Sequence, residues 1–234
     1  MKCIMELGFM EKDKVEGILK TLRAAYPGAK SRLKYDNPFE LLVAAVLSAQ
    51  TTDDQVNKVT QELFRRYPTA AELAGAEPEE VAACIKSLGL YRMKAQHLVT
   101  ACRMLVEKYG GRVPDTLEEL LELPGVGRKV ANVVLANAFG RDVIAVDTHV
   151  FRVANRLGLA TAGDVRETER QLMTVLPSGT RNEAHHLLIH HGRAVCRARA
   201  PKCGECVVKS YCRDADHKKR GEASHSAKDK GDKI

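Results

Sequence analysis

Four cysteines near the C-terminal end of the chain have the spacing of a metal site. Cys196, Cys203, Cys206 and Cys212 form the pattern C-x6-C-x2-C-x5-C, and the residues that precede them hold only Cys3, Cys84 and Cys102. Four thiolates bind tetrahedral zinc or an iron–sulfur cluster. Zinc sites often pair two CxxC knuckles, whereas this segment has one CxxC with longer flanking loops, which favours a cluster. Four unliganded buried thiols are the weaker alternative.

The loop between the first two of these cysteines is basic, with Arg197, Arg199 and Lys202. Residues 181–213 hold seven Lys or Arg against two Glu, a local balance of 7 − 2 = +5, and the whole chain carries +7. On charge alone, a nucleic-acid partner and a solubilising surface are both open interpretations. Cations on a metal-bound loop lose little entropy on meeting a phosphate backbone, so we expect a structural cluster that orients these residues toward DNA.

A lysine follows a glycine-rich turn in the segment "LPGVGRKVANVVLANAF", residues 123–139. The turn is predicted to join two helices, the second of which starts at Val126. Its glycines would let backbone amides approach a phosphate, and the following helix adds the positive end of its dipole. The pattern therefore predicts a helix-hairpin-helix that grips one DNA strand through its turn, with the contact residues Gly125, Val126, Gly127 and Arg128.

Lys129 lies on the apolar face of that predicted helix. A projection at about 100° per residue puts it close to Val126 and Val133, while Arg128 points toward solvent. One interpretation is that the apolar stem of Lys129 covers the core and its amine reaches water. The other is an amine held at the mouth of a cleft as a nucleophile. The residues alone leave both interpretations open.

Asp147 follows a short apolar run, Val143 to Val146, and precedes a predicted helix over residues 148–157. This position predicts an N-cap, where backbone amides and the helix dipole stabilise an ionised carboxylate. Such a carboxylate is suited to stabilising positive charge. Nothing in the local pattern favours catalysis over capping.

The elements that must position these residues are helices. Apolar residues recur at helical spacing almost throughout, and only Val143 to Val146 looks extended, so we predict an all-α fold. Helices are predicted to begin at Pro38, after Thr52 as N-cap, and after Asp115 or Thr116.

The composition indicates a folded cytoplasmic protein. At 234 residues and 44% hydrophobic content the chain can fill a core. Acidic residues at Glu6 and Glu11 interrupt the N-terminal segment, so no signal peptide is expected, and no apolar run is long enough to cross a membrane. Residues 214–234 lack large apolar side chains until Ile234 and are predicted to be a disordered charged tail.

Three segments and the cysteine pattern together resemble the endonuclease III family of DNA glycosylases and abasic-site lyases. The segments are "LSAQTTDDQVNK", "LPGVGRKVANVVL" and "AVDTHVFRVANRLG", and the resemblance extends from about Lys14 to Arg213. It implies two helical lobes with a DNA cleft between them. Residues 31–141 would form a six-helix barrel lobe with the helix-hairpin-helix, and residues 1–30 plus 142–213 an iron–sulfur cluster lobe.

The resemblance also assigns roles to residues. It implies that Lys129 is the Schiff-base lysine, that Asp147 is the catalytic carboxylate, and that the four cysteines hold a [4Fe-4S] cluster. Gln50 would fill the gap left by an extruded base. Leu90 would wedge against the partner strand, with an ordinary core leucine as the alternative, and His149 would line the site.

The implied function is base excision DNA repair. The resemblance predicts a monomeric bifunctional enzyme, an N-glycosylase with abasic-site β-lyase activity, that acts on double-stranded DNA containing damaged bases or abasic sites and removes oxidised pyrimidines. A monofunctional mismatch or damage glycosylase of the same fold is one alternative, but it leaves Lys129 unexplained. A non-catalytic, zinc-stabilised DNA-binding module is another, and it explains only the charge and the cysteines.

Overall fold

The computed structural model describes residues 7–214, with side chains from Lys12 onward, and its regular elements there are all helical. The predicted all-α fold is confirmed. Two short 3-10 helices, Cys203–Glu205 and Lys209–Tyr211, follow eleven α-helices. The α-helices are α1 (Leu7–Ala25), α2 (Pro38–Leu47), α3 (Asp53–Arg66), α4 (Ala70–Ala74), α5 (Pro78–Cys84), α6 (Tyr91–Tyr109), α7 (Leu117–Glu122), α8 (Arg128–Ala138), α9 (Thr148–Leu157), α10 (Val165–Val175) and α11 (Arg181–Ala194).

The chain divides into two compact units. One is continuous, Ser31–Ala145, and the other combines the N-terminal residues up to Lys30 with those from Val146 onward. The boundary falls four residues beyond the predicted one at residue 141. The reason is that residues 142–145 pack on α8: the Asn132 side chain donates a hydrogen bond of 3.1 Å to the carbonyl of Ile144.

The continuous unit contains seven helices, α2 to α8, where the resemblance implied six. Its centre is α2, in which Phe39 and every residue from Leu41 to Leu47 are buried. A helix that is apolar all round is a core helix. Asn37 caps its start by accepting from the amide of Glu40 at 3.0 Å, and Pro38 occupies the first helical position.

The second unit packs α9 against α11 and α1 against α11. The buried face of α9 has helical spacing, and α9 ends at Gly158, whose backbone is left-handed at φ 80°. A Cβ on Gly192 of α11 would lie 3.1 Å from a methyl of Val153, so the two helices approach closely at this glycine. This packing holds the start of α9, and with it Asp147, in place.

Only the first residue of the predicted tail lies within the described part of the chain. The carboxylate of Asp214 is 3.6 Å from Nε of Arg156, so Asp214 belongs to the folded part. Residues 215–234 lie outside the described residues. Between residues 7 and 214, no helix is both long enough and apolar enough to span a membrane.

Candidate active site and metal centre

The turn between α7 and α8 depends on Gly125. Its backbone is left-handed at φ 80°, and a Cβ there would lie 3.2 Å from Cβ of His97 and 3.3 Å from Cγ1 of Val46. Gly127 is different, because its φ is −90° and a Cβ would meet nothing within 4 Å. The space in front of the first amides of α8 is therefore open to a ligand.

The second helix of the hairpin begins at Arg128, so the prediction of a start at Val126 is wrong by two residues. Val126 is buried within the turn, where its amide donates to the carbonyl of Leu123 at 3.0 Å, and Gly127 with its extended backbone is the N-cap. Two glycines in three residues favour a turn here over a further helical turn.

Lys129 is half-buried on α8, next to the buried Val130 and on the side of Val133, as the projection predicted. Arg128 is also half-buried, whereas it was predicted to point into solvent. A long side chain at the first position of a helix lays its apolar stem along neighbouring surface, which a projection of the helix alone does not include.

Asp147 is the N-cap of α9, as predicted. Its Oδ1 accepts from the amides of His149 and Val150, both at 2.8 Å. Two amide donors and the positive end of the helix dipole stabilise the ionised carboxylate. The sequence therefore places a fixed negative charge at this helix start.

His149 lies beside this carboxylate and is half-buried. Burial lowers the pKa of His149, and Asp147 opposes that shift. Nδ1 of His149 lies 3.1 Å from Nη2 of Arg152.

Two arginines of α9 connect this site to the cysteine segment. Arg152 donates to the carbonyl of Cys196 at 3.0 Å, and Arg156 donates to Sγ of Cys196 at 3.5 Å and to the carbonyl of Arg197 at 2.7 Å. Sγ of Cys212 donates to the carbonyl of Arg156 at 3.4 Å. Sequence reasoning missed both arginines, although their spacing of four puts them on one face of the helix.

The four cysteines line one shared pocket, and each is half-buried. Among the described side chains, no three His, Cys, Asp or Glu residues surround a point that suits a single metal ion. The pKa of Cys206 is raised by burial and, in addition, by the three other thiols. Four thiolates in such a site need metal cations to compensate their charge, and the pocket has the donor set of an iron–sulfur cluster.

His191 of α11 lines the same site and connects it to the residue that follows α1. Sγ of Cys206 is 3.5 Å from Nε2 of His191, whose Nδ1 is 3.0 Å from the hydroxyl of Tyr26. Burial lowers the pKa of His191 to about 4, so this ring is neutral. The N-terminal helix is thereby joined to the cysteine segment.

The cations of the first loop between the cysteines are exposed. Arg197 and Arg199 face solvent, and Lys202 pairs with Glu205 at 3.2 Å. The pair is exposed and contributes about 1 kcal/mol or less. All three cations are accessible to a phosphate backbone.

Gln50 and Leu90 both have left-handed backbones, at φ 54° and 56°. Gln50 is exposed and follows the C-cap of α2, Ser48, by two residues. Leu90 is 57% exposed, so the core-leucine alternative is wrong. Both side chains belong to the continuous unit, and a third residue that sequence reasoning missed, Lys94, lies between them in space.

Comparison with known proteins assigns the family. Residues 43–178 match the HhH-GPD superfamily base excision DNA repair proteins, and residues 196–212 match the iron–sulfur binding domain of endonuclease III. Over 206 residues the chain is 49% identical to endonuclease III of Synechocystis sp., which covers 88% of this chain and 94% of the relative. The chain belongs to the endonuclease III family.

Another relative and two solved structures are also similar to this chain. The Escherichia coli protein is 45% identical, covering 87% of this chain and 96% of the relative. The solved structure of a trapped endonuclease III–DNA covalent intermediate is 44% identical and has a TM-score of 0.83, covering 89% of this chain and 98% of the other. A thermostable thymine-DNA glycosylase is 25% identical with a TM-score of 0.77, covering 88% and 98%.

The cofactor follows from the family and the site together. The iron–sulfur domain of endonuclease III begins at the first cysteine and ends at the fourth. The pocket supplies four thiols and apolar walls, and Arg156 donates a hydrogen bond to Sγ of Cys196. The cofactor of this endonuclease III family member is a [4Fe-4S] cluster.

Proposed function

We propose that this protein removes damaged bases from duplex DNA and then cleaves the abasic site, with Lys129 as the nucleophile and Asp147 as the carboxylate that stabilises charge. The observation that carries the proposal is the half-buried Lys129 one position into the helix that follows the open glycine turn. The solved endonuclease III–DNA covalent intermediate supports it, because a covalent intermediate requires a nucleophile. The enzyme is a bifunctional DNA glycosylase and abasic-site lyase of base excision repair.

DNA is held mainly through its phosphates. The amides of the hairpin around Gly127 and the exposed cations Arg197, Arg199 and Lys202 provide contacts that carry no sequence information. When bound, the cluster cross-links the segment that carries these cations. We place this activity in the cytoplasm, where the six described cysteines would remain thiols available to metal.

The damaged base must leave the stack before it can react. Extrusion costs a few kcal/mol, and a weakly paired base reduces this cost. We assign Gln50 to the gap that the base leaves and Leu90 to the partner strand. The exposed, left-handed positions of both residues suit this role, since each side chain projects from a turn.

Base removal develops positive charge on the sugar, which the ionised Asp147 stabilises. Nζ of Lys129 forms a bond to C1′, the glycosidic bond breaks, and the base leaves with the electron pair of that bond. Asp147 accepts the proton that Lys129 releases. We assign His149, which is half-buried beside Asp147, to the lining of this site.

Strand cleavage follows from the imine that Lys129 forms with the opened sugar. The imine acidifies the C2′ proton, and its removal expels the 3′ phosphate by β-elimination. We assign oxidised pyrimidines as the substrate class, on the resemblance of the three motif segments to the family. A glycosylase without lyase activity would leave Lys129 with no role.

Borohydride trapping tests the proposal. Wild type and Lys129→Ala are incubated with duplex DNA that carries an oxidised pyrimidine, and separately with a preformed abasic site, before reduction. We expect a covalent adduct with wild type on both substrates and none with Lys129→Ala. Lys108→Ala is the matched control, because Lys108 is an exposed lysine of the same unit that pairs with Glu122.

Three other outcomes would change the assignment. Base removal by wild type without any adduct would support the monofunctional alternative. An adduct with Lys129→Ala would move the nucleophile to another amine. DNA binding without base removal or trapping on any lesion would support the binding-module alternative.

A further inference from the structure

Lys94 is a buried lysine with no role in the chemistry described above. It lies in the first turn of α6 and is 4% exposed. Its Nζ donates to the carbonyl of Leu47 at 2.9 Å, to the carbonyl of Ala49 at 2.7 Å and to Oγ1 of Thr51 at 3.0 Å. An ammonium has three hydrogens, so all of its donors are used, and all three acceptors are neutral oxygens.

The three acceptors surround Gln50. Leu47 is the last residue of α2, and Ala49 and Thr51 flank Gln50 on either side. Carbonyls at a helix C-terminus lack donors within the helix and favour a nearby cation. Lys94 therefore closes the end of α2 and holds the turn in which Gln50 has its left-handed backbone.

The same lysine is attached to the turn that carries Leu90. The backbone amide of Lys94 donates to the carbonyl of Leu90 at 3.0 Å, which is the first helical hydrogen bond of α6. The Leu90 turn is also fixed to α3, because Nε2 of Gln55 donates to Oγ of Ser87 at 2.8 Å. Lys94 is thus the residue that links residues 47–51 to the turn of Leu90.

We propose that Lys94 is a positioning residue that holds the Gln50 turn on the helix start that carries Leu90, so that both side chains meet damaged DNA as one preformed unit. This inference rests on the roles proposed above for Gln50 and Leu90. Burial lowers the pKa of Lys94, and the three oxygens are the groups that its ammonium contacts. An apolar side chain of similar length would leave the two carbonyls without donors.

A double-mutant cycle tests whether Lys94 acts through Gln50. The variants are Lys94→Met, Gln50→Ala and the combination, each loaded with its cluster. The measurement is the equilibrium affinity for a duplex with a reduced abasic site and for the matching undamaged duplex. A fluorescent base opposite the abasic site reports whether the gap is filled.

We expect Lys94→Met to weaken binding to the abasic duplex by about tenfold or more, with little change on the undamaged duplex. Gln50→Ala should have a similar selective effect. The combined variant should bind no more weakly than the weaker single variant, because residues that act through one another are not additive. In all three variants, the fluorescence of the base opposite the abasic site should no longer change when the protein binds.

Two further variants serve as a milder test of the same contact and as a control for the loss of charge. Thr51→Val removes one of the three acceptors and retains the ammonium, so we expect a smaller selective loss even if Lys94→Met does not fold. Lys108→Met removes the same charge from the same helix at an exposed position, and it should leave the ratio of the two affinities unchanged.

Additive effects of Lys94→Met and Gln50→Ala would overturn the inference, and so would equal losses on damaged and undamaged DNA, since both would mean that Lys94 only stabilises the fold. If wild type forms a trapped adduct but Gln50→Ala binds abasic DNA as tightly as wild type, the role of Lys94 as a positioning residue is wrong. The proposed enzyme activity would then still hold. Wild type that never traps on any lesion would overturn the proposed function itself.

Discussion

The ring of Tyr211 packs directly on the backbone of Gly17. A Cβ at Gly17 would lie 2.5 Å from the hydroxyl oxygen of Tyr211 and 2.9 Å from Cζ. Gly17 is in the interior of α1, and Tyr211 immediately precedes the fourth cluster ligand, Cys212. The N-terminal helix therefore supports the cluster segment at a position where only glycine fits.

Gly17→Ala should destabilise this contact and weaken cluster retention. Alanine favours the helix by up to about 1 kcal/mol, but overpacking costs about 1–3 kcal/mol. We expect a net loss of about 1–2 kcal/mol, measured as a lower Tm and earlier loss of the visible cluster absorbance on heating. Tyr211→Phe in the Gly17→Ala background should recover part of the loss, because it removes the nearest atom. A higher Tm for Gly17→Ala alone would contradict the steric argument.

The two hairpin glycines should respond differently to alanine. Gly125→Ala places a side chain at φ 80° and within 3.3 Å of His97 and Val46, so we expect a clear drop in Tm, since left-handed backbone alone costs about 1–2 kcal/mol. Gly127→Ala meets nothing within 4 Å, and its fold should stay within about 1 kcal/mol of wild type. Its methyl would stand where a phosphate approaches, so DNA affinity should fall at an unchanged Tm. Normal DNA binding by Gly127→Ala would mean that the turn does not face the backbone.

Asp147→Asn removes the negative charge of this residue but keeps its role as the N-cap of α9. Asparagine is as good an N-cap as aspartate, so stability should change by less than about 1 kcal/mol. Base removal under single-turnover conditions should slow by about 10²-fold or more, because the stabilising charge is lost. Asp164→Asn is the matched control, since Asp164 caps α10 by accepting from the amide of Glu167 at 2.8 Å. Full activity of Asp147→Asn would reduce Asp147 to a structural cap.

Acid should destabilise the fold through His186 on α11. Burial lowers its pKa to about 3, assisted by His185 and His190, and its Nε2 has no hydrogen-bond partner among the described residues. An unfolded histidine titrates near pH 6.5, so the contribution of neutral His186 is complete above that pH. Between about pH 6.5 and 3 only the unfolded state takes up the proton, and stability falls with a slope approaching about 1.4 kcal/mol per pH unit.

The measurement for this prediction is denaturant unfolding from pH 7 to pH 4.5. His186→Leu should flatten the dependence on pH relative to wild type, while any loss of the cluster in acid affects both proteins alike. If the free energy of unfolding falls equally steeply with decreasing pH in both proteins, His186 does not cause the loss of stability in acid.

The sequence by itself determined the helical class, the set of four thiolate ligands and several helix starts. Periodicity and capping act within a few residues, which is why Thr52 and Asp147 were predicted as N-caps and are N-caps in the structure. The spacing of four cysteines within 17 positions was likewise a local signal. The family model for the iron–sulfur domain covers that same span.

Only the tertiary structure decided how side chains far apart in the chain meet. The partial burial of Arg128 depends on what packs around it, so the helical projection did not predict it, and the residues alone left the exposure of Leu90 open. Lys94 reaches carbonyls 45 and 47 positions earlier in the chain. No local pattern distinguishes such a lysine from an exposed one, because its burial and its partners exist only after α2 and α6 have packed together.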